Sequence, residues 1–277
     1  MKPPIGYYGS KASIAEQIVR HLPEHEHYVE PFAGSLAILL AKPPARLETV
    51  NDLDGELVTF WRVLRARPDD LERVTALTPH ARAELTGAHE PATDELEIAR
   101  RVWVRLTQGR TGTLRRTGWR HYIDPGGTNM SMPAYLDAYR RRIPPAATRL
   151  ARVSLEARPA LEVIAAYGQH PDALLYVDPP YPRHTRAGTN YRHEMPDDTA
   201  HRELADALHQ TRAAVVLSGY PSPLYDDLYA GWDRVDITTG TGQGGTWAAR
   251  TEVIWSNRAL SDQPSLLDAL TPATTTA

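Results

Sequence analysis

Apolar positions along the chain follow helical and strand rhythms in alternation, broken by one irregular stretch. Ser13-Ile14-Ala15-Glu16 has capping-box spacing, and Ile14, Ile18, Val19 and Leu22 recur at helical intervals, which predicts a helix to about His21. Tyr7 to Lys11, just before it, is placed on a loop. His27-Tyr28-Val29-Glu30 predicts a short strand running into the turn Pro31-Phe32-Ala33-Gly34-Ser35, with a helix over 36–41. A second strand, 47–50, ends at Asn51-Asp52, and a helix is expected from about Asp54 through Arg65. Asp54 is the better N-cap there, because Glu56 and Leu57 follow it. Another helix is expected over 94–106. From Gln108 to Pro145 glycine, threonine, arginine and aromatic residues dominate and the periodicity is lost. It resumes with a strand at 173–177, a helix at 199–210, a strand at 213–217 and late strands at 233–238 and 251–255. Strand and helix alternating on both sides of an irregular module predict an α/β fold, a mainly parallel sheet with helices on both faces. Residues 1–65 and 150–258 would form this core, 66–149 an insert, and 259–277 a disordered tail.

Composition narrows the chemistry. With 277 residues, 42% hydrophobic and 23% charged, the chain can bury one substantial core rather than remain disordered. The absence of cysteine excludes disulfides, thiolate metal sites and cysteine nucleophiles. No apolar run is long enough to span a bilayer and Met1 to Gly6 has no apolar signal core, so cytoplasmic residence is expected. The net charge of −3 conceals a local field: residues 100–152 carry twelve arginines against Asp124 and Asp137 alone, an excess of ten positive charges. Clustered cations with few acids are the footprint of phosphate contact. Arg110, Arg115, Arg116 and Arg120, interleaved with Trp119, His121 and Tyr122, are the candidate nucleic-acid contacts. His21, His25 and His27 lack a partner motif and read as solvated loop residues, so no metal is expected. His184, His193 and His201 fall after the most informative motif, as substrate contacts or surface residues.

That motif is Asp178-Pro179-Pro180-Tyr181, placed directly after an apolar strand, where open α/β sheets bind ligands. The amine of a base such as adenine is a poor nucleophile because its lone pair is delocalised into the ring. A carboxylate at Asp178 and the Pro179 carbonyl can accept its two hydrogens and favour a localised lone pair. Tyr181 offers a stacking face, and the two prolines stiffen the loop. Gly34, in its strand-to-helix turn, lets backbone approach a ligand; neither a dinucleotide fingerprint nor a phosphate loop is present. Asp52, just after the next strand, is placed either to bind ribose hydroxyls or to cap the following helix, a job Asp54 fits better.

Taken in order, Tyr7-Tyr8-Gly9-Ser10-Lys11, Pro31 to Ser35, the basic insert and Asp178 to Tyr181 resemble the Dam family of DNA adenine methyltransferases. The likeness runs to about Asn257 and includes Leu217 to Tyr220 and Arg250 to Trp255. It implies a Rossmann-like methyltransferase core with an inserted DNA-recognition module, and transfer of a methyl group from S-adenosylmethionine to adenine N6 in double-stranded DNA by base flipping. It further implies that Tyr7, Lys11, Glu30, Phe32, Gly34, Asp52 and Asp178 bind cofactor, while Asp178, Pro179, Pro180 and Tyr181 form the catalytic loop. Tyr7 stands where such enzymes often carry tryptophan, and the Pro31 to Ser35 turn is a shortened form of their glycine-rich loop. Methylation of RNA adenine or of cytosine N4, and a catalytically silent DNA-binding homologue, are the competing readings. A monomer is expected, and Gln263-Pro264-Ser265-Leu266-Leu267 faintly resembles a peptide that docks on the replication sliding clamp.

Overall fold

A computed structural model describes residues 1–121, 130–182, 191–193, 195, 197–243 and 246–260, with backbone alone for 239–243 and 246–250. Its elements, in chain order, are α1 (Ala15–Arg20), β1 (His27–Glu30), α2 (Ala37–Ala41), β2 (Leu47–Asn51), α3 (Gly55–Ala66), α4 (Pro68–Leu77), α5 (Arg82–Gly87), α6 (Glu95–Gln108), α7 (Met132–Arg140), α8 (Ile143–Leu150), β3 (Ser154–Glu156), α9 (Ala160–Tyr167), β4 (Ala173–Val177), α10 (Asp198–His209), β5 (Ala214–Gly219), α11 (Pro223–Leu228), β6 (Asp233–Gln243) and β7 (Thr246–Ser256).

The strands form a seven-stranded sheet in the order β3-β2-β1-β4-β5-β7-β6. β1 to β5 pair in parallel, and β7 lies antiparallel to both β5 and β6. The winding reverses between β1 and β4, so the carboxyl ends of these two adjacent strands flank the crevice where α/β sheets take ligands. Strand alternation sends side chains to two cores. Tyr28, Leu174, Tyr176, Val216 and Ile254 meet residues of α1, α2, α3, α6, α7 and α8 on one face. Val29, Leu175, Val177, Leu217 and Trp255 meet α9, α10 and α11 on the other. The expected α/β architecture with both faces covered is therefore present. No helix among the described residues is long and apolar enough to cross a membrane.

Several elements depart from the sequence reading. Residues 132–150, largely assigned to the irregular stretch, form α7 and α8. Their prolines lie in first turns, where a missing N–H costs nothing, and Ser131 caps α7 through the Ala134 N–H. These helices and α6 share one core with α3, and α8 is fastened to β2 by Arg149, which bonds Glu48 beside Lys42. β3, at three residues, is too short to carry a periodic signal. β6 and β7 continue past their apolar portions, because backbone pairing extends to Gln243 and Thr246. The capping box at Ser13 is not formed: Ile14 occupies the N-cap without a side-chain bond, and the helix is entered through a turn from Lys11, whose carbonyl accepts the Ile14 N–H.

Candidate active site

The turn after β1 is held from three sides. The Gly34 N–H donates to Asp52 Oδ2 at 2.9 Å, its carbonyl accepts from the Trp61 indole at 3.2 Å, and the Ser35 and Ser10 hydroxyls lie 2.7 Å apart. Gly34 has φ +47°, and a Cβ there would meet the Tyr7 ring at 3.2 Å, so both backbone shape and the aromatic neighbour require glycine. Leu36 follows at φ 57°, a left-handed non-glycine residue that costs roughly 1–2 kcal/mol and is kept in place by complete burial. At the end of β2, Asp52 accepts the Asp54 N–H through its other oxygen, while Asp54 caps α3 through the N–H groups of Glu56 and Leu57. Asp54 is thus the N-cap, as the sequence favoured, and Asp52 is left facing the crevice. Enclosure raises the Asp52 carboxyl to about 6, despite the two backbone bonds that favour its ionised form.

The loop after β4 brings Asp178 to the same crevice. Lys11, 5% exposed, places its Nζ 2.8 Å from each Asp178 oxygen, 2.9 Å from the Gly9 carbonyl and 3.8 Å from Glu252 of β7. Burial alone would lower the Lys11 pKa; Asp178 and Glu252 outweigh it and raise it. The Tyr181 hydroxyl reaches Asp178 Oδ1 at 3.1 Å and Glu252 Oε1 more closely. Burial lifts Glu252 to about 7 and Glu30, which accepts from the Tyr28 hydroxyl at 3.0 Å, to about 8.

One cavity joins these groups. Tyr7, Lys11, Glu30, Phe32, Gly34, Asp52 and Asp178 all line it, with Pro180 and, further along the chain, Tyr191, Arg192 and His193. Every residue singled out for cofactor contact therefore meets in one place. Pro179 and Tyr181 do not line it: both are buried, and the Tyr181 ring lies under the Lys11 ammonium at 4.9 Å with Tyr220 edge-on at 4.7 Å. Arg192 bridges Asp54 and Glu56, and Glu56 also holds Arg105 of α6 at 2.9 Å. His201 is fully buried, with Nδ1 3.0 Å from the Tyr225 hydroxyl, so it is a core residue rather than a surface or substrate group. His184 lies outside the described residues.

The basic stretch abuts this cavity. The Tyr8 N–H donates to the carbonyl of Gly112, whose φ of +63° and close approach to Gly6 exclude a side chain. Residues 109–119 form a narrow loop closed by the Arg110 N–H to the Gly118 carbonyl and a bridge between Gly109 and Trp119. Arg110, Arg115 and Arg116 are exposed on it, Arg116 beside Glu90 at 3.4 Å. Arg120 is engaged internally, donating to Tyr135 and to the carbonyls of Gly109 and Arg110. Trp119 is stacked between His80 and the exposed His121, at 4.4 and 5.5 Å. Tyr122 lies outside the described residues. Sequence reasoning gave no role to Glu252, Trp61 or Arg192. For Glu252 the signal was present: a lone acid directly before the apolar run Val253-Ile254-Trp255 of β7.

A family model described as D12 class N6 adenine-specific DNA methyltransferase matches residues 7–240. The DNA adenine methylase of Vibrio cholerae serotype O1 is 26% identical over 238 residues, covering 80% of this chain and 83% of its own, in two strains alike. A solved methyltransferase from Geobacter sulfurreducens, 10% identical, covers 91% of this chain and 80% of that one at a TM-score of 0.35. With the family match running from the Tyr7 motif through the loop after β4 and into β6, the chain belongs to the D12 class N6 adenine-specific DNA methyltransferases.

Proposed function

We propose that this chain methylates the exocyclic N6 amine of adenine in double-stranded DNA, using S-adenosylmethionine, after the target base rotates out of the duplex. One observation carries the site assignment: Asp178, clamped by Lys11, shares a cavity with Gly34, Asp52 and Glu30. The lining fits an adenosyl sulfonium. Its carboxylates suit a cation, its aromatic residues Tyr7 and Phe32 suit an adenosyl group, and no phosphate loop is present. Each Asp52 oxygen keeps a further lone pair for a ribose hydroxyl beyond its backbone bond. When bound, S-adenosylmethionine supplies a methyl carbon activated by positive sulfur, so alignment and charge placement carry the catalysis.

Asp178 and the Pro179 carbonyl accept the two amine hydrogens, and the diproline holds them in position. Stacking of the extruded base on Tyr181 requires Lys11 to leave the ring face it now covers. Segment 66–149 acts as the target-recognition module, with Arg110, Arg115 and Arg116 toward phosphates or guanines, while Arg120 and Trp119 support the loop that presents them. The tail peptide 263–267 lies outside the described residues; its docking on a sliding clamp is tested by pull-down with the purified clamp. The catalytic assignment is tested with Asp178→Ala. Methyl transfer is expected to vanish with DNA affinity held within about threefold, since DNA affinity comes mainly from phosphate contacts. Wild-type turnover in that variant refutes the role given to Asp178.

A further inference from the structure

Beside the methyl-transfer groups lies a second acid for which that reaction needs no geometric role. Glu252 stands on β7, two residues before Ile254, on the sheet face that carries the larger core, and is 5% exposed. The Tyr181 hydroxyl lies between this carboxylate and that of Asp178. It has one hydrogen for two acceptors, so while it donates to Glu252, the closer, its oxygen can accept a hydrogen from a protonated Asp178. The three groups form a continuous chain leading from the cavity into the sheet. Glu30 and Asp54 are also buried acids lining the cavity, but they bond to Tyr28 and to the first turn of α3, outside this chain.

We propose that Glu252 receives the proton released by the target amine, passed from Asp178 through the Tyr181 hydroxyl. This rests on the proposed methylation of adenine N6. As the amine lone pair forms the nitrogen–carbon bond, the carbon–sulfur bond breaks and its pair stays on sulfur, leaving a neutral thioether. One nitrogen–hydrogen bond then breaks with its pair kept on nitrogen, and the proton passes to Asp178. Asp178 hands a proton to the Tyr181 oxygen while the Tyr181 hydrogen moves to Glu252, which ends as a carboxylic acid; Asp178 and Tyr181 return to their starting states.

Charge accounts for the need. With Lys11 positive and both carboxylates ionised the cluster carries one negative charge, which a bound sulfonium balances. Methyl transfer moves that positive charge onto the amine nitrogen, and relay of its proton to Glu252 over adjacent hydrogen bonds leaves both the amine and the cluster neutral in a dry site. The groups facing Glu252 support a proton affinity suited to this: Asp178 and Tyr181 from the loop after β4, Tyr176 from β4, and Lys11 from the N-terminal loop, with burial as the largest influence. Its pKa of about 7 leaves it able to hold a proton after the reaction and lose it before the next.

The test compares wild type, Glu252→Gln and Glu252→Asp. In ligand-free protein, infrared difference spectra across pH are expected to show a carboxylic acid ionising near pH 7 that is missing from the Gln variant. In single turnovers on pre-bound DNA, the wild-type rate is expected to fall as pH drops through that value. The Gln variant should lack this limb and be slower by about 10²-fold or more, the scale of a lost acid–base group. The Asp variant should recover part of the rate and the limb, while cofactor and DNA affinities stay within about threefold in all three. A Gln variant with the wild-type rate and pH limb, or a wild type without the infrared titration, overturns the proposal. A wild type that methylates no adenine instead overturns the reading beneath it.

Discussion

Replacing Glu252 by glutamine is expected to make the protein more stable, and more so the higher the pH. Lys11 lies 2.8 Å from Asp178 but 3.8 Å from Glu252, so its compensation goes mainly to Asp178. Burial therefore dominates at Glu252 and lifts its pKa from an ordinary 4.5 to about 7. A group raised in the folded state stabilises fully below its unfolded pKa and loses that contribution as pH rises through the folded value. The loss for Glu252 begins near 4.5 and is essentially complete above about 7. Relative to the protonated acid, which glutamine mimics in shape, linkage gives a cost of about 1 kcal/mol at pH 5 and ~3 kcal/mol at pH 8. At roughly 2–4 °C per kcal/mol for a chain near this size, the Gln variant is expected to melt about 6–12 °C higher at pH 8. Scanning calorimetry with urea titrations at pH 5 and pH 8 measures both. An equal gain at the two values, or a loss at pH 8, refutes the reasoning, since either means that titration of Glu252 is not the source.

Two further substitutions probe the cavity and the basic loop. Asp52→Asn cannot accept from both Gly34 and Asp54, so one buried N–H loses its partner at a cost of ~1–3 kcal/mol. Calorimetric titration with S-adenosylmethionine is expected to show affinity reduced by roughly tenfold or more, and unchanged affinity would remove Asp52 from the ribose site. Arg115→Ala with Arg116→Ala is expected to weaken DNA binding and reduce the slope of log affinity against log salt by about 2. An unchanged slope clears both of phosphate contact.

Much of the site was legible because its chemistry sits where periodicity breaks. β1 and β2 each end in a polar residue and β4 runs directly into Asp178, and the rule that α/β sheets bind ligands at strand carboxyl ends places Gly34, Asp52 and Asp178 at one sheet edge from the sequence alone. What stayed illegible depends on long-range packing. Glu252 is far from Asp178 in sequence, and only the pairing of β7 with β5 brings it to Tyr181. Tyr181 reads as an exposed stacking face, yet its partners Lys11 and Tyr220 come from distant segments and bury it. Arg120 likewise looks identical to its neighbours in sequence, and its internal bonds follow from a loop closure that no local pattern encodes. The prolines of α7 and α8 misled for a physical reason: the same residue breaks a helix interior and fits a first turn.

The central claim is that the Asp178 cavity methylates adenine N6. The most direct measurement incubates the protein with S-adenosylmethionine labelled in its methyl group and unmethylated duplex DNA, then identifies the modified nucleoside by mass spectrometry. Labelled N6-methyladenine is the predicted product. Label on cytosine N4, label accepted by RNA alone, or no label despite measurable cofactor binding would contradict it.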